Sequence, residues 1–84
     1  MPTALRIGPY RFYFYSYDCD EPRHIHIDRE NTSAKFWLDV DVSLVENYGY
    51  SRKELRENER LVKDNREHFI YEWDTFCGSN SETA

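Results

Sequence analysis

Two histidines spaced two apart, His24 and His26, give the chain its sharpest chemical signal. Alternate residues of a β-strand project side by side, so two imidazoles at this spacing can converge on one metal ion. A zinc or manganese site needs more than two ligands, and Asp28, Glu21 and Asp39 are nearby candidates; the set His24, His26 and Asp28 shares one strand face. The same pair can serve as general acid and base, because an unperturbed imidazole pKa of about 6.5 lies close to neutrality. His24, His26 and Lys35 would then form the catalytic set of a small ribonuclease or hydrolase, with Lys35 or Arg23 holding the phosphate. The plainer alternative is a polar strand face on which the histidines hydrogen-bond locally or stack on rings, while Arg23 and Lys35 pair with Asp28, Glu30 or Asp39 across strands. An HxH pair alone does not separate these alternatives.

Two other groups of residues suit a partner. Tyr13, Tyr15, Tyr17 and Trp37 alternate with Phe12, Phe14 and Phe36, and would form an aromatic platform that fills a partner's pockets, or simply shields a thin domain. Arg52, Arg56, Arg60 and Lys63 recur at helical spacing as a basic stripe, followed by Asp64, Glu67, Glu72 and Asp74. That order opposes the helix dipole, which fits either an edge for an acidic partner or phosphate, or a solvated face of spaced ion pairs. The partner-binding candidates are therefore Tyr13, Tyr15, Arg23, Trp37, Arg52, Arg56 and Arg60. Cys19 and Cys77 lack CxxC spacing, and reduced thiols are the favoured state. The 3 glycines are isolated, so no phosphate-cradling loop and no nucleotide cofactor is expected.

These side chains need a scaffold, and the chain divides by period. An alternating, aromatic segment extends to about Tyr50, and a charged segment with helical spacing follows from Ser51 to about Cys77, which is an α+β pattern. Leu5 and Ile7 mark a first strand. Gly8-Pro9 should form a loose connection, because proline is awkward at the second central position of a two-residue turn. In His24-Ile25-His26-Ile27-Asp28 the isoleucines face a dry side and the histidines the other. Ala34, Phe36 and Leu38 continue the dry side, and Val40, Val42 and Leu44 form a fifth strand or a bulged continuation. Ser51-Arg52-Lys53-Glu54 matches a capping box. Leu55, Val62, Phe69 and Phe76 then form a stripe, on one long helix or two kinked near Asp64-Asn65. The expectation is an antiparallel sheet of four to five strands covered on one face by the C-terminal helix, as a single domain over residues 1–78 with a tail over 79–84.

Length and charge narrow the function. A chain of 84 residues buries only about 60–65% of its unfolded surface, so an active site must be shallow. Seven Tyr, 5 Phe and 2 Trp must supply much of the core. The net charge of -5 opposes sequence-independent binding to RNA. No stretch has the apolar length of a membrane span or the layout of a secretory signal, and a cytoplasmic protein is expected.

Arg6-Ile7-Gly8, Tyr10-Arg11-Phe12-Tyr13-Phe14-Tyr15-Ser16, Glu21-Pro22-Arg23-His24-Ile25-His26-Ile27, Ala34-Lys35-Phe36-Trp37-Leu38 and Gly49-Tyr50-Ser51 together resemble small bacterial proteins grouped as domain of unknown function 4160. The E-P-x-H-x-H run is the most distinctive piece, and Arg23 stands where many members have a second proline. The resemblance implies no settled activity. It implies a two-gene unit similar to toxin–antitoxin modules, hence a small protein partner encoded by an adjacent gene and a cytoplasmic setting. The expected function is the partner-binding component of such a module. The alternative is a histidine- or metal-dependent ribonuclease or hydrolase using His24 and His26, for which a divalent metal such as zinc is the only cofactor in view.

Overall fold

Alternation of apolar and polar residues produces five strands: β1 (Thr3–Ile7), β2 (Tyr10–Tyr13), β3 (His24–Arg29), β4 (Thr32–Trp37) and β5 (Ser43–Tyr48). The computed structural model describes residues 3–39 and 41–78, so Val40 and the expected tail over 79–84 lie outside the described residues. The strands pair in chain order, each antiparallel to the next, as one open sheet. β5 is a separate strand rather than a continuation of β4. The connection at Gly8-Pro9 is tighter than expected, since Ile7 pairs directly with Tyr10. Gly8 takes φ +55 and absorbs the reversal, so Pro9 can keep its own fixed negative φ.

The period of two places Phe12, Ile25, Ile27, Phe36 and Leu38 on one face, none more than 1% exposed. Two helices cover that face: α1 (Arg52–Asp64) and α2 (Arg66–Trp73), with a π-helical turn at Asp74–Gly78. The Ser51 hydroxyl accepts from the Glu54 amide at 3.1 Å and caps α1, one half of the expected capping box; the Glu54 carboxylate turns to Arg29 and Tyr10 instead of back to Ser51. The expected kink falls at Asn65, whose side-chain amide donates to the Leu61 carbonyl at 2.9 Å. Val62 and Phe69 are fully buried, and the Phe69 ring stacks 5.1 Å from Phe12. Each such ring or branched side chain contributes about 1.5–3 kcal/mol through burial. Glu54 docks the start of α1 onto the sheet, accepting from Arg29 at 2.6 and 2.9 Å and from the Tyr10 hydroxyl at 2.6 Å. Burial and this bond to Glu54 push the Tyr10 phenol up to about 12.

Two expectations fail at the C-terminal end. Phe76 is 42% exposed instead of completing the stripe, because the wider π turn moves the inward position from Phe76 to Cys77. Cys19 and Cys77 are disulfide-bonded rather than reduced, with Cα atoms 5.6 Å apart across a separation of 58 residues. The contact arises because a 3₁₀ turn at Ser16–Asp20 meets the end of the helical segment, a long-range closure that cysteine spacing does not encode. Closing a chain segment of 58 residues restricts the unfolded ensemble, and full reduction is expected to lower the unfolding free energy by about 4 kcal/mol. Urea titrations with and without reductant, accompanied by a free-thiol count, measure this. An unchanged midpoint in fully reduced protein would contradict it.

Candidate functional site

His24 and His26 occupy the strand face opposite Ile25 and Ile27, as their spacing requires, but that face is closed over them. The 3₁₀ turn between β2 and β3 folds back and lowers Asp18 onto the pair. Its Oδ2 lies 3.0 Å from His24 Nε2 and 3.2 Å from His26 Nε2. His24 is 0% exposed and Asp18 5%, while the His26 side chain keeps 16%. The expected open chemical face is thus an enclosed polar cluster.

The backbone fixes the state of His24. Its Nδ1 lies 2.9 Å from the Pro22 carbonyl, an acceptor only, so Nδ1 carries the hydrogen and donates it. Nε2 then points toward Asp18 but makes no hydrogen bond, although it is completely buried. Asp18 is anchored independently: the Tyr15 amide donates to its Oδ2 at 2.8 Å, and the Cys19–Cys77 bond holds the adjacent residue. His26 Nε2 is in hydrogen-bond contact with the same oxygen. Among the described residues, Asp18, His24 and His26 form the group whose donor atoms, all within 4.8 Å of one another, could hold a metal ion.

Aromatic rings wall the cluster. Tyr13 stacks on His26 at 5.2 Å and Tyr15 meets it edge-on at 5.0 Å, while Trp37 and Trp73 lie 5.7 and 5.0 Å from His24. Tyr13 and Trp37, expected on an outward platform, therefore serve as walls; Tyr13 is only 5% exposed. The side chain of Tyr17 lies outside what is described.

Asp28 does not join the histidines. Its Oδ1 accepts from the Tyr13 hydroxyl at 3.1 Å, and burial, with help from Tyr15 and Asp28, pushes the Tyr13 phenol upward. The structure thus brings Asp18, and not the expected Asp28, to His24 and His26. Sequence reasoning missed Asp18 because Asp18-Cys19-Asp20 looks like an acidic turn, and its only signal was a carboxylate shortly before the E-P-x-H-x-H run.

The expected phosphate contacts are occupied. Lys35 Nζ pairs with Glu21 at 2.9 Å and sits 5.0 Å from the Trp37 ring centroid. Arg23 clamps two elements, gripping Asp74 through Nε and Nη2 at 2.8 and 3.0 Å and Asp39 through Nη1 at 3.0 Å. Arg60 is held by Glu57 at 2.6 Å and Asp64 at 3.1 Å. Arg52 and Arg56 are exposed and have no ion-pair partner among the described residues. An open cleft of about 560 Å³ runs along α1, bounded by Tyr10, Glu54, Arg56 and Arg60, and none of the cluster lines it.

Electrostatics favour one charge pattern. Burial opposes ionisation of Asp18, but the Tyr15 amide and the two imidazoles outweigh it and hold the carboxyl below its ordinary range. Burial, then the neighbouring His24, push His26 below its ordinary value against the pull of Asp18.

A family model described as Domain of unknown function (DUF4160) matches residues 10–74, a span from β2 through the end of α2 that contains Asp18, His24 and His26 but not Cys77. No curated protein and no solved structure matches the chain.

Both shifted groups bind protons less readily folded than unfolded, so the unfolded state takes up protons in acid and stability rises with pH. The His26 contribution is complete above its unfolded value of about 6.5 and lost as pH falls through the lower folded value; Asp18 behaves alike below about 3.9. Urea midpoints measured in EDTA should be flat between about pH 7 and pH 9, decline below about pH 6.5, and decline again below about pH 4. His26→Gln should remove the upper decline. A wild-type midpoint that rises between pH 7 and pH 5 would contradict the assignment.

Proposed function

The chain belongs to the family of Domain of unknown function (DUF4160), and from that membership and its surface we propose that it is the partner-binding component of a two-protein module of the toxin–antitoxin type. The observation that carries this reading is the open edge at β5. β5 pairs with β4 on one side, and among the described residues no strand covers the other. Leu44 and Tyr48 on this strand are 46% and 61% exposed. An unpaired edge bearing large apolar side chains is a template for an added strand: main-chain bonds supply affinity and alternate side chains supply specificity. Glu46 and the register irregularity opposite Lys35 and Phe36 are devices that discourage pairing between identical copies. The occupant is therefore a strand of a different small protein, the product of the adjacent gene. Arg52 and Arg56, at the start of α1 just after β5, suit acidic groups on it.

The reading moves the contact surface away from Tyr13, Arg23, Trp37 and Arg60, which are engaged internally. It also places the module in the cytoplasm, a setting implied by the family resemblance. The Cys19–Cys77 bond opposes that setting, since cytosolic glutathione keeps most thiols reduced.

A histidine-dependent hydrolase is the second reading, supported by the convergence of Asp18, His24 and His26. Enclosure of His24, the ion-paired state of Lys35 and Arg23, and the net charge of -5 weigh against an RNA substrate. Growth arrest on expression that disappears in His26→Ala would favour this second reading.

Co-expression with the neighbouring gene product should yield a complex on size exclusion. Leu44→Lys/Tyr48→Lys should weaken it at least about tenfold with an unchanged Tm, as expected for anchors at an interface centre. Absence of a wild-type complex would overturn the partner reading, and a complex undiminished in the double variant would overturn the assignment to β5.

A further inference from the structure

We propose that Asp18, His24 and His26 form a binding site for one zinc-class divalent cation, with Asp18 Oδ2, His24 Nε2 and His26 Nε2 as its protein donors. The inference is independent of the partner reading and does not require the site to be catalytic.

The donor spacing suits one ion. Donor atoms 3.0 and 3.2 Å from a shared oxygen, each about 2.0–2.1 Å from a common metal, subtend angles of about 91–106°, and the two nitrogens, which lie within 4.8 Å of each other, must come within about 4.2 Å to share the ion. A second observation is the state of His24. Its Nδ1–H is committed to the Pro22 carbonyl, and its buried Nε2 faces a carboxylate oxygen without a hydrogen bond. A ring nitrogen and a carboxylate oxygen 3.0 Å apart can share a proton or a metal ion, and a cation placed between them would satisfy both. A backbone acceptor on the distal nitrogen is the outer contact that orients a metal-bound imidazole.

The chemistry of the set narrows the ion. Two imidazoles and one carboxylate suit zinc and neighbouring transition metals, whereas calcium and magnesium prefer an all-oxygen environment. Cys19 and Cys77 are joined to each other and offer no thiolate. The remaining coordination positions fall to water, reached from the side on which His26 retains exposure. Binding at His26 Nε2 requires the hydrogen that this nitrogen shares with Asp18 to pass through solvent to Nδ1, so the ring stays a neutral imidazole and no net proton is released. No electron transfer is involved. Bound metal would tie the 3₁₀ turn to β3 by a second link beside the disulfide.

The test uses the full chain, with any affinity tag removed and metal stripped by EDTA, titrated with zinc chloride in a calorimeter. One zinc per chain is expected, and Asp18→Asn and His26→Gln should each weaken binding at least tenfold. Asp28→Asn should leave it unchanged, which separates this set from the one suggested by strand spacing. Histidine 15N spectra of the wild type keep the test decisive if a variant loses its circular dichroism signature: zinc should shift Nε2 of His24 and His26 and leave the surface residue His68 unaffected. Absence of stoichiometric binding would overturn the proposal. So would undiminished affinity in the folded Asp18 and His26 variants, or shifts confined to His68.

Discussion

The carboxylate of Asp18, held between two imidazoles beneath a folded-back turn, is the interaction on which the rest of this structure depends. Burying three ionisable groups together is costly unless their charges and polar atoms are matched. The fold meets that demand with several supports: the Tyr15 amide on Asp18, the Pro22 carbonyl on His24, and a disulfide at the next residue, Cys19. Arg23 adds a brace from the loop before β3 to Asp39 and Asp74, tying the end of the sheet to the end of α2. Aromatic walls then shield Asp18 and His24 from solvent, leaving only the His26 side partly open, which strengthens the electrostatic interactions inside.

Much of this scaffold was legible in the sequence because it rests on local periodicity. Ile25 and Ile27 alternate with His24 and His26, and the capping serine at Ser51 marks a helix start irrespective of what lies around it. The kink at Asn65 was equally local. What escaped depends on contacts between distant segments. Asp18 reaches its histidines through a turn whose direction its own residues do not specify, and Cys77 meets Cys19 only after the π turn rotates the last inward position away from Phe76. The strand period correctly separated the histidines from the isoleucines, yet it carried no information about what would cover them.

Two surfaces with different physical character emerge. The histidine cluster is enclosed, tightly cross-braced and built from groups whose charges depend on one another, which suits a site that holds something small. The β5 edge is open, and the large side chains Leu44 and Tyr48 remain in water, which suits a macromolecular contact. Part of the aromatic surplus is thereby accounted for: Tyr13, Tyr15, Trp37 and Trp73 enclose the cluster, while Tyr48, Tyr71 and Phe76 are exposed.

The most direct measurement of the central claim is a double-mutant cycle between Asp18→Asn and His26→Gln, read from urea unfolding of metal-free protein at neutral pH. A shared buried contact predicts a coupling energy of about 0.5–3 kcal/mol. Strict additivity of the two single substitutions would mean that Asp18 does not hold the imidazole, and the account built on that contact would fail.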